Sequence, residues 1–167
     1  MVQVRSLSGA DAAAFQACRL EALRRHPCAF AASFDEEALR SLDEVAARLE
    51  QGAAFGAFMD GALVGTAGFA MPALALALAK KCHKGVLWGV YVRAAARGRG
   101  VGRLLVEQVI EHARGRVEQL HATVVTSAAA ARQLYRDLGF RVYGLEPRGL
   151  KVAGRCFDQE LMVLLLR

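Results

Sequence analysis

The sequence predicts an α/β fold on a mixed sheet, and three observations carry that expectation. Apolar residues recur at helical spacing over residues 12–25, 42–51, 101–112 and 128–138. Shorter apolar or alternating runs, rich in β-branched and aromatic residues, lie at 2–5, 53–59, 62–70, 86–92, 120–125, 140–143 and 157–166. In order along the chain these read strand, two helices, three strands, helix, strand, helix, two strands, which is an α/β pattern.

Each element has a local reason. Ser8 to Asp11 offers a cap for the first helix, and Pro27 ends it. Residues 29–37 mix apolar and acidic side chains without a period and read as loop. Ser41-Leu-Asp-Glu44 has the form of a capping box and opens the second helix. Asp60-Gly61 between two apolar runs signals a tight hairpin. Val101, Leu104, Leu105 and Val109 form the apolar stripe of the third helix. Ala131, Leu134, Tyr135 and Leu138 share one face of the fourth, and Gly139 stops it.

With 167 residues, one domain spanning 1–167 is expected, large enough to bury a core without a disulfide or metal staple. The four cysteines are widely spread and none sits at metal-ligand spacing, which points to a reducing cytoplasm and to no metal. No apolar stretch follows the N-terminus, so no signal peptide is expected. The most apolar window, 68–79, contains Pro72 and is too short to span a bilayer, so no membrane partner is expected. The net charge of +6 fits either an anionic partner or a dispersed arginine-rich surface. The twelve aromatics are not interleaved with basic residues, which argues against nucleic acid.

The most informative stretch is Val90-Tyr91-Val92, followed after four residues by Arg97-Gly98-Arg99-Gly100-Val101-Gly102-Arg103. A strand runs into a loop with three alternate glycines and three arginines, and a helix begins at once. The first helical turn leaves backbone N–H groups unpaired at its positive end. Glycines let that backbone approach phosphate oxygens, and Arg97, Arg99 and Arg103 can add charge-assisted hydrogen bonds. The same residues also suit a solvated surface turn. The Gly-Lys-Ser/Thr of a P-loop is absent, and the dinucleotide pattern fails because position 103 is arginine.

Arg97-Gly98-Arg99-Gly100-Val101-Gly102 resembles the Arg/Gln-x-x-Gly-x-Gly/Ala signature of the GNAT N-acetyltransferase superfamily. Ala131-x-x-Leu134-Tyr135-x-x-x-Gly139-Phe140 is similar to that family's later helix. The resemblance covers residues 53–143 well and the N-terminal helices in outline. It implies a strongly twisted, mixed seven-stranded sheet with helices on both faces, and a central pair, 86–92 and 120–125, that splays apart. Acetyl-CoA would be the co-substrate and an amine the acceptor. Pantetheine would lie along Val90, Tyr91 and Val92, and the pyrophosphate on the turn from Arg97 through Gly98, Arg99, Gly100, Val101 and Gly102 to Arg103. A backbone N–H near Val90 would serve as oxyanion donor. Tyr135 would protonate the leaving thiolate, although an aromatic on a helix face is more commonly a core residue. A homodimer is common among proteins of this kind.

The sequence departs from the family pattern at three places. An asparagine that often precedes the second motif is Ala128 here, with Ser127 beside it as a substitute or a cap. The two strand positions where many members carry a glutamate base are Val86 and Thr123. The base therefore stays open between His83, His121 and water. Asp35, Glu36, Glu37, Asp158 and Glu160 are acidic groups that can hold a cationic amine or simply face solvent. The alternative to catalysis is a module of the same fold that binds acyl-CoA without transferring the acyl group.

Overall fold

A computed structural model describes residues 1–71 and 79–166 of the chain; positions 72–78 of the apolar window, with Pro72, lie outside them. The strands are β1 (Val2–Ser6), β2 (Ala53–Met59), β3 (Ala62–Ala70), β4 (Lys84–Val92), β5 (Gln119–Val125), β6 (Arg141–Val152) and β7 (Arg155–Leu165). The α-helices are α1 (Ala12–Arg25), α2 (Phe34–Ala38), α3 (Leu42–Gln51), α4 (Val101–Ala113) and α5 (Ala129–Asp137). The strands form one seven-stranded sheet in the order β1-β2-β3-β4-β5-β7-β6. Every neighbouring pair is antiparallel except β4 with β5, so the sheet is mixed, as the element order predicts.

Local chemistry explains most boundaries. Asp60 (φ +50°) and Gly61 (φ +80°) both adopt left-handed backbone, the geometry that lets a two-residue turn match the twist of β2 and β3. Ser41 and Glu44 close the anticipated capping box at the start of α3, with Glu44 N–H donating to Ser41 Oγ at 3.2 Å.

Two expectations are corrected. Residues 29–37, read as loop, contain the start of α2. Ser33 and Glu36 form a capping box there, equivalent to the one at α3, and satisfy the helix's first amides. The strand expected at 140–143 instead runs from Arg141 to Val152, because Ala153 (φ +48°) and Gly154 (φ +79°) make a second tight turn that pairs it with β7, with irregularities between Val142 and Gly144 and between Glu146 and Leu150.

Helices cover both faces of the sheet. On one face, Val101, Leu105, Val106 and Val109 of α4 and Tyr135 of α5 pack on Phe55, Phe69, Leu120 and Met162. On the other, Phe15, Cys18 and Ala22 of α1 and Val45 and Leu49 of α3 pack on Ala54, Leu63 and Tyr91. Burial of these side chains at roughly 25 cal/mol per Å² is the main force holding the layers together. Among the described residues, no helix is long and apolar enough to cross a membrane.

The single tryptophan, Trp88, lies across β3 because Gly68 leaves space for it. A Cβ on Gly68 would meet three atoms of the indole at 2.1–2.6 Å. Gly68→Ala is therefore expected to displace the ring and to destabilise the protein by about 1–3 kcal/mol, the usual range for overpacking. Urea unfolding measures the loss, and the intrinsic fluorescence of Trp88 reports the displacement; an unshifted spectrum would contradict the packing described.

Candidate active site

The central strands diverge as the sheet crosses its midline. Parallel pairing of β4 with β5 covers only Lys84–Gln119, Gly85–Leu120 and Val86–His121. Beyond Val86 the strands part and a cleft of about 90 Å³ opens, walled by Leu87, Trp88, Val90, Thr123, Val125 and Tyr135 among others. A bulge in β4 shapes one wall. Thr66 pairs with Tyr91 and Gly68 with Trp88, so Ala67 alone faces both Gly89 and Val90. Gly89 takes φ +62°, and its carbonyl accepts a hydrogen bond from Thr66 Oγ1 at 3.1 Å. Such a bulge breaks the ladder and re-aims the backbone, here beside the cleft.

At the open end of the cleft β4 runs into the glycine-rich turn. Gly98 (φ +73°) and Gly100 (φ +74°) hold left-handed backbone with nothing within 4 Å of where a Cβ would stand. Gly100 caps α4, and the first bond of that helix runs from Leu104 N–H to Gly100 O at 3.1 Å. The amides of Val101, Gly102 and Arg103 thus have no intrahelical acceptor and lie at the positive end of the helix. Gly102 faces inward, its notional Cβ 3.4 Å from Leu134 Cδ2 and 3.7 Å from Val92 Cγ2.

The three arginines of the turn differ. Arg97 folds back: its Nε donates to the Val92 carbonyl at 2.9 Å and its Nη2 to His26 Nε2 at 2.9 Å. Burial, helped by the charges of Arg97 and Arg25, lowers the His26 pKa, which keeps the imidazole a neutral acceptor. Arg99 is exposed, and Arg103 makes loose ion pairs to Glu107 at 3.5 Å and Asp137 at 3.8 Å. Tyr91 points to the opposite face, where its hydroxyl donates to Glu21 at 2.9 Å, so only its backbone borders the site.

Tyr135 stands in the cleft wall, 7% exposed, with its ring 5.6 Å from that of Phe140. Burial pushes its pKa up to about 12. The hydroxyl makes no hydrogen bond to the described residues and stays protonated at neutral pH. A buried phenol normally takes a partner, so this one is poised for something that enters the cleft.

The candidate bases lie elsewhere. The His83 carbonyl accepts from the amides of Glu118 and Gln119 at 2.8 and 3.2 Å, which puts it at the closed end of the β4–β5 pair. His121 sits in the last pairing before the split, 3.3 Å from the Tyr143 hydroxyl and 3.1 Å from Gln119 Oε1; burial, then the Lys84 and His83 charges, lower its pKa. Neither lines the cleft. Of the acidic candidates, Glu36 caps α2, Glu37 pairs with Arg40 and Arg48, and Asp158 accepts from the Arg148 amide at 2.8 Å. Asp35 is exposed in the first turn of α2. Among the described residues no group of three metal-ligating side chains is present.

Glu160 has a role that sequence reading missed. It is buried on β7 and ties down α5, accepting from Arg132 Nε at 3.0 Å and from Arg136 Nη2 at 3.3 Å. The Arg132 hydrogen bond, aided by the charges of Arg132 and Arg136 and opposed by burial, holds its carboxyl below the usual value of 4.5. A carboxylate with a lowered folded pKa adds stability above its unfolded pKa, and that stability is lost as pH falls through the folded one. Glu160→Gln should lower the melting temperature by several degrees at pH 7 and by less at pH 3. Calorimetry at the two pH values checks it, and an equal loss at both would exclude the carboxylate as the cause.

Comparison with known proteins places the arrangement in context. Residues 17–140 match the model of the Acetyltransferase (GNAT) family. The chain is 35% identical over 99 residues to the N-alpha-acetyltransferase RimI of Mycobacterium tuberculosis, covering 59% of this chain and 58% of that protein. It is 38% identical over 78 residues to the L-methionine sulfoximine/L-methionine sulfone acetyltransferase of Pseudomonas aeruginosa, covering 45% and 44%. The match thus spans about half the length of these relatives. Among solved structures, a ribosomal-protein-alanine N-acetyltransferase from Brucella melitensis superposes with TM-score 0.85 at 28% identity over 98% of this chain and 99% of that one. The yncA acetyltransferase of Salmonella typhimurium, solved with its cofactor acetyl-CoA, superposes with TM-score 0.82 at 25% identity over 100% and 95%.

Proposed function

The chain belongs to the acetyltransferase (GNAT) family, and from that premise we propose that it transfers the acetyl group of acetyl-CoA directly to a primary amine. The observation that carries this reading is the split between β4 and β5, which opens between a buried, unpartnered phenol and a helix N-terminus stripped of side chains at Gly98 and Gly100. The residues fit the cofactor. A diphosphate needs unpaired amides and close backbone approach, and the turn offers both.

Acetyl-CoA supplies an activated acetyl thioester. The amides of Val101, Gly102 and Arg103 hold the diphosphate, with Arg99 and Arg103 adding charge at the rim. Arg97 braces the turn against Val92 and adds to its positive field. The backbone of β4 from Val90 to Val92 offers the edge along which the pantetheine arm is held. The amide re-aimed by the bulge at Gly89–Val90 stabilises developing negative charge on the carbonyl oxygen. As the C–N bond forms and the C–S bond breaks, Tyr135 gives its proton to the departing sulfur and recovers one from the acylated nitrogen. Among the described residues no carboxylate lines the cleft, so the amine arrives neutral or gives its first proton to water. The wide spacing of the four cysteines supports a cytoplasmic setting.

Incubation with acetyl-CoA and a panel of amines, following free thiol, tests the proposal. Amine-dependent thiol release is expected. Stabilisation by acetyl-CoA with no thiol released for any amine would overturn catalysis and leave an acyl-CoA-binding module.

A further inference from the structure

Two cavities meet at Trp88. One is the cleft of about 90 Å³ between β4 and β5. The other, of about 670 Å³, is bordered by α1, α3, the start of β2 and the end of β3, with Phe15, Leu49 and Phe69 among its apolar walls. Trp88 is the only described residue that lines both.

The place of the indole is built into the sheet. Trp88 pairs with Gly68 across the β3–β4 ladder, and a Cβ on that glycine would overlap the ring. Phe15 stands edge-on to it with centroids 6.4 Å apart, and the Arg19 guanidinium lies 5.9 Å from its centre. Trp88 is still only half-buried, as suits a side chain between two spaces. Other walls of the cleft differ. Leu87, Val124 and Tyr135 are buried and belong to the main core of the domain. Behind them is close-packed protein, whereas behind Trp88 there is room.

The volume of the cleft, about 90 Å³, equals that of about three water molecules at roughly 30 Å³ each. That admits a two-carbon acyl group and little more.

We propose that Trp88 sets the length of the acyl group that the protein accepts: its indole closes the cleft against the larger cavity, so that an acetyl group fits and a longer chain does not. The inference rests on the reading above that an acyl-CoA occupies the cleft with its carbonyl at the Gly89–Val90 bulge. Trp88 immediately precedes that bulge, and the acyl carbons beyond the carbonyl run toward it. With the ring trimmed, a longer tail continues into the larger cavity and lies against Phe15 and Phe69. Each methylene buried there is worth about fourfold in affinity.

The dissociation constants of acetyl-, propionyl-, butyryl- and hexanoyl-CoA, measured by titration calorimetry, test this without an amine acceptor. The wild-type protein should bind hexanoyl-CoA about tenfold more weakly than acetyl-CoA, or worse. Trp88→Ala should raise the affinity for hexanoyl-CoA relative to acetyl-CoA by about tenfold or more, and Trp88→Leu by less. Val124→Ala trims a wall with packed protein behind it and should leave the wild-type order in place. The wild-type series and Trp88→Leu decide the matter if Trp88→Ala does not fold. Equal binding of all four by the wild-type protein would overturn the proposal. An unchanged ratio in the Trp88 variants that fold, or an equal gain in Val124→Ala, would do the same. Absence of binding by every acyl-CoA, acetyl-CoA included, would overturn the acetyl-CoA reading itself, and the proposal with it.

Discussion

Gly102→Phe should abolish the rise in melting temperature that acetyl-CoA gives the wild-type protein. A ligand at a hundred times its dissociation constant stabilises the native state by about 2.7 kcal/mol, which for a domain of this size is roughly 5–10 °C. Gly102 sits in the first turn of α4, where its amide is one of the three without an intrahelical acceptor. A Cβ there stands 3.4 Å from Leu134 Cδ2 and 3.7 Å from Val92 Cγ2, which alanine tolerates. A benzyl group must either push α5 away or turn outward across the amides, and both block the diphosphate. The backbone of this position is helical, so the free protein pays no strain, and Gly102→Ala should retain the shift. Gly100→Val tests the same turn differently. At φ +74° any side chain costs about 1–2 kcal/mol, and a β-branched one also covers the approach to the helix end. A full acetyl-CoA shift in both Gly102→Phe and Gly100→Val would place the cofactor elsewhere.

Tyr135→Phe should lower kcat by about 10- to 100-fold with little change in acetyl-CoA affinity, the signature of an interaction made mainly in the transition state. Well-placed general acids contribute about 100- to 10,000-fold. The lower end is expected here because a thiolate leaves more readily than an alkoxide. The ring is 7% exposed and packs on Phe140, so the substitution keeps the volume and removes only the hydroxyl. That hydroxyl has no protein partner to lose among the described residues, so the variant should fold with nearly wild-type stability. A folded pKa near 12 means that the acid stays protonated across the accessible range, and the rate should show no alkaline loss below pH 10 from this group. Single-turnover measurement on an accepted amine isolates the chemical step. Full activity there would reduce Tyr135 to a packing residue.

The parts of this fold legible in the sequence are those specified by neighbours along the chain. Asp60-Gly61 announces its hairpin because the required left-handed backbone is a local property. Ser41 and Glu44 announce α3 because a capping box closes within four residues. The same signal stood at Ser33 and Glu36, and α2 was overlooked only because the apolar period there is too short to register. The extension of β6 past Tyr143 could not be read, since its residues are mostly exposed on both faces and carry Pro147; pairing with β7 makes them a strand. Within the site, the glycine turn and Tyr135 were legible because they form local motifs. The inward fold of Arg97 onto His26 and the clamp of Glu160 on α5 were not. Each depends on partners 24 to 71 residues away.

The three-rung seam between β4 and β5 has a mechanical consequence. In its backbone hydrogen-bond network the sheet is almost bisected, with β1 to β4 on one side and β5 to β7 on the other. Helix α4 and its apolar contacts are what bridge the two halves across the gap. Thermal breathing concentrates along such a line, because opening it breaks few bonds. Free edges in the middle of a sheet also invite foreign strands, which is a standing aggregation risk. An occupant that bonds to an exposed edge works as a rivet, and its concentration then governs how often the two halves gape. Supply of the co-substrate would in this way set the lifetime of the protein as well as its rate.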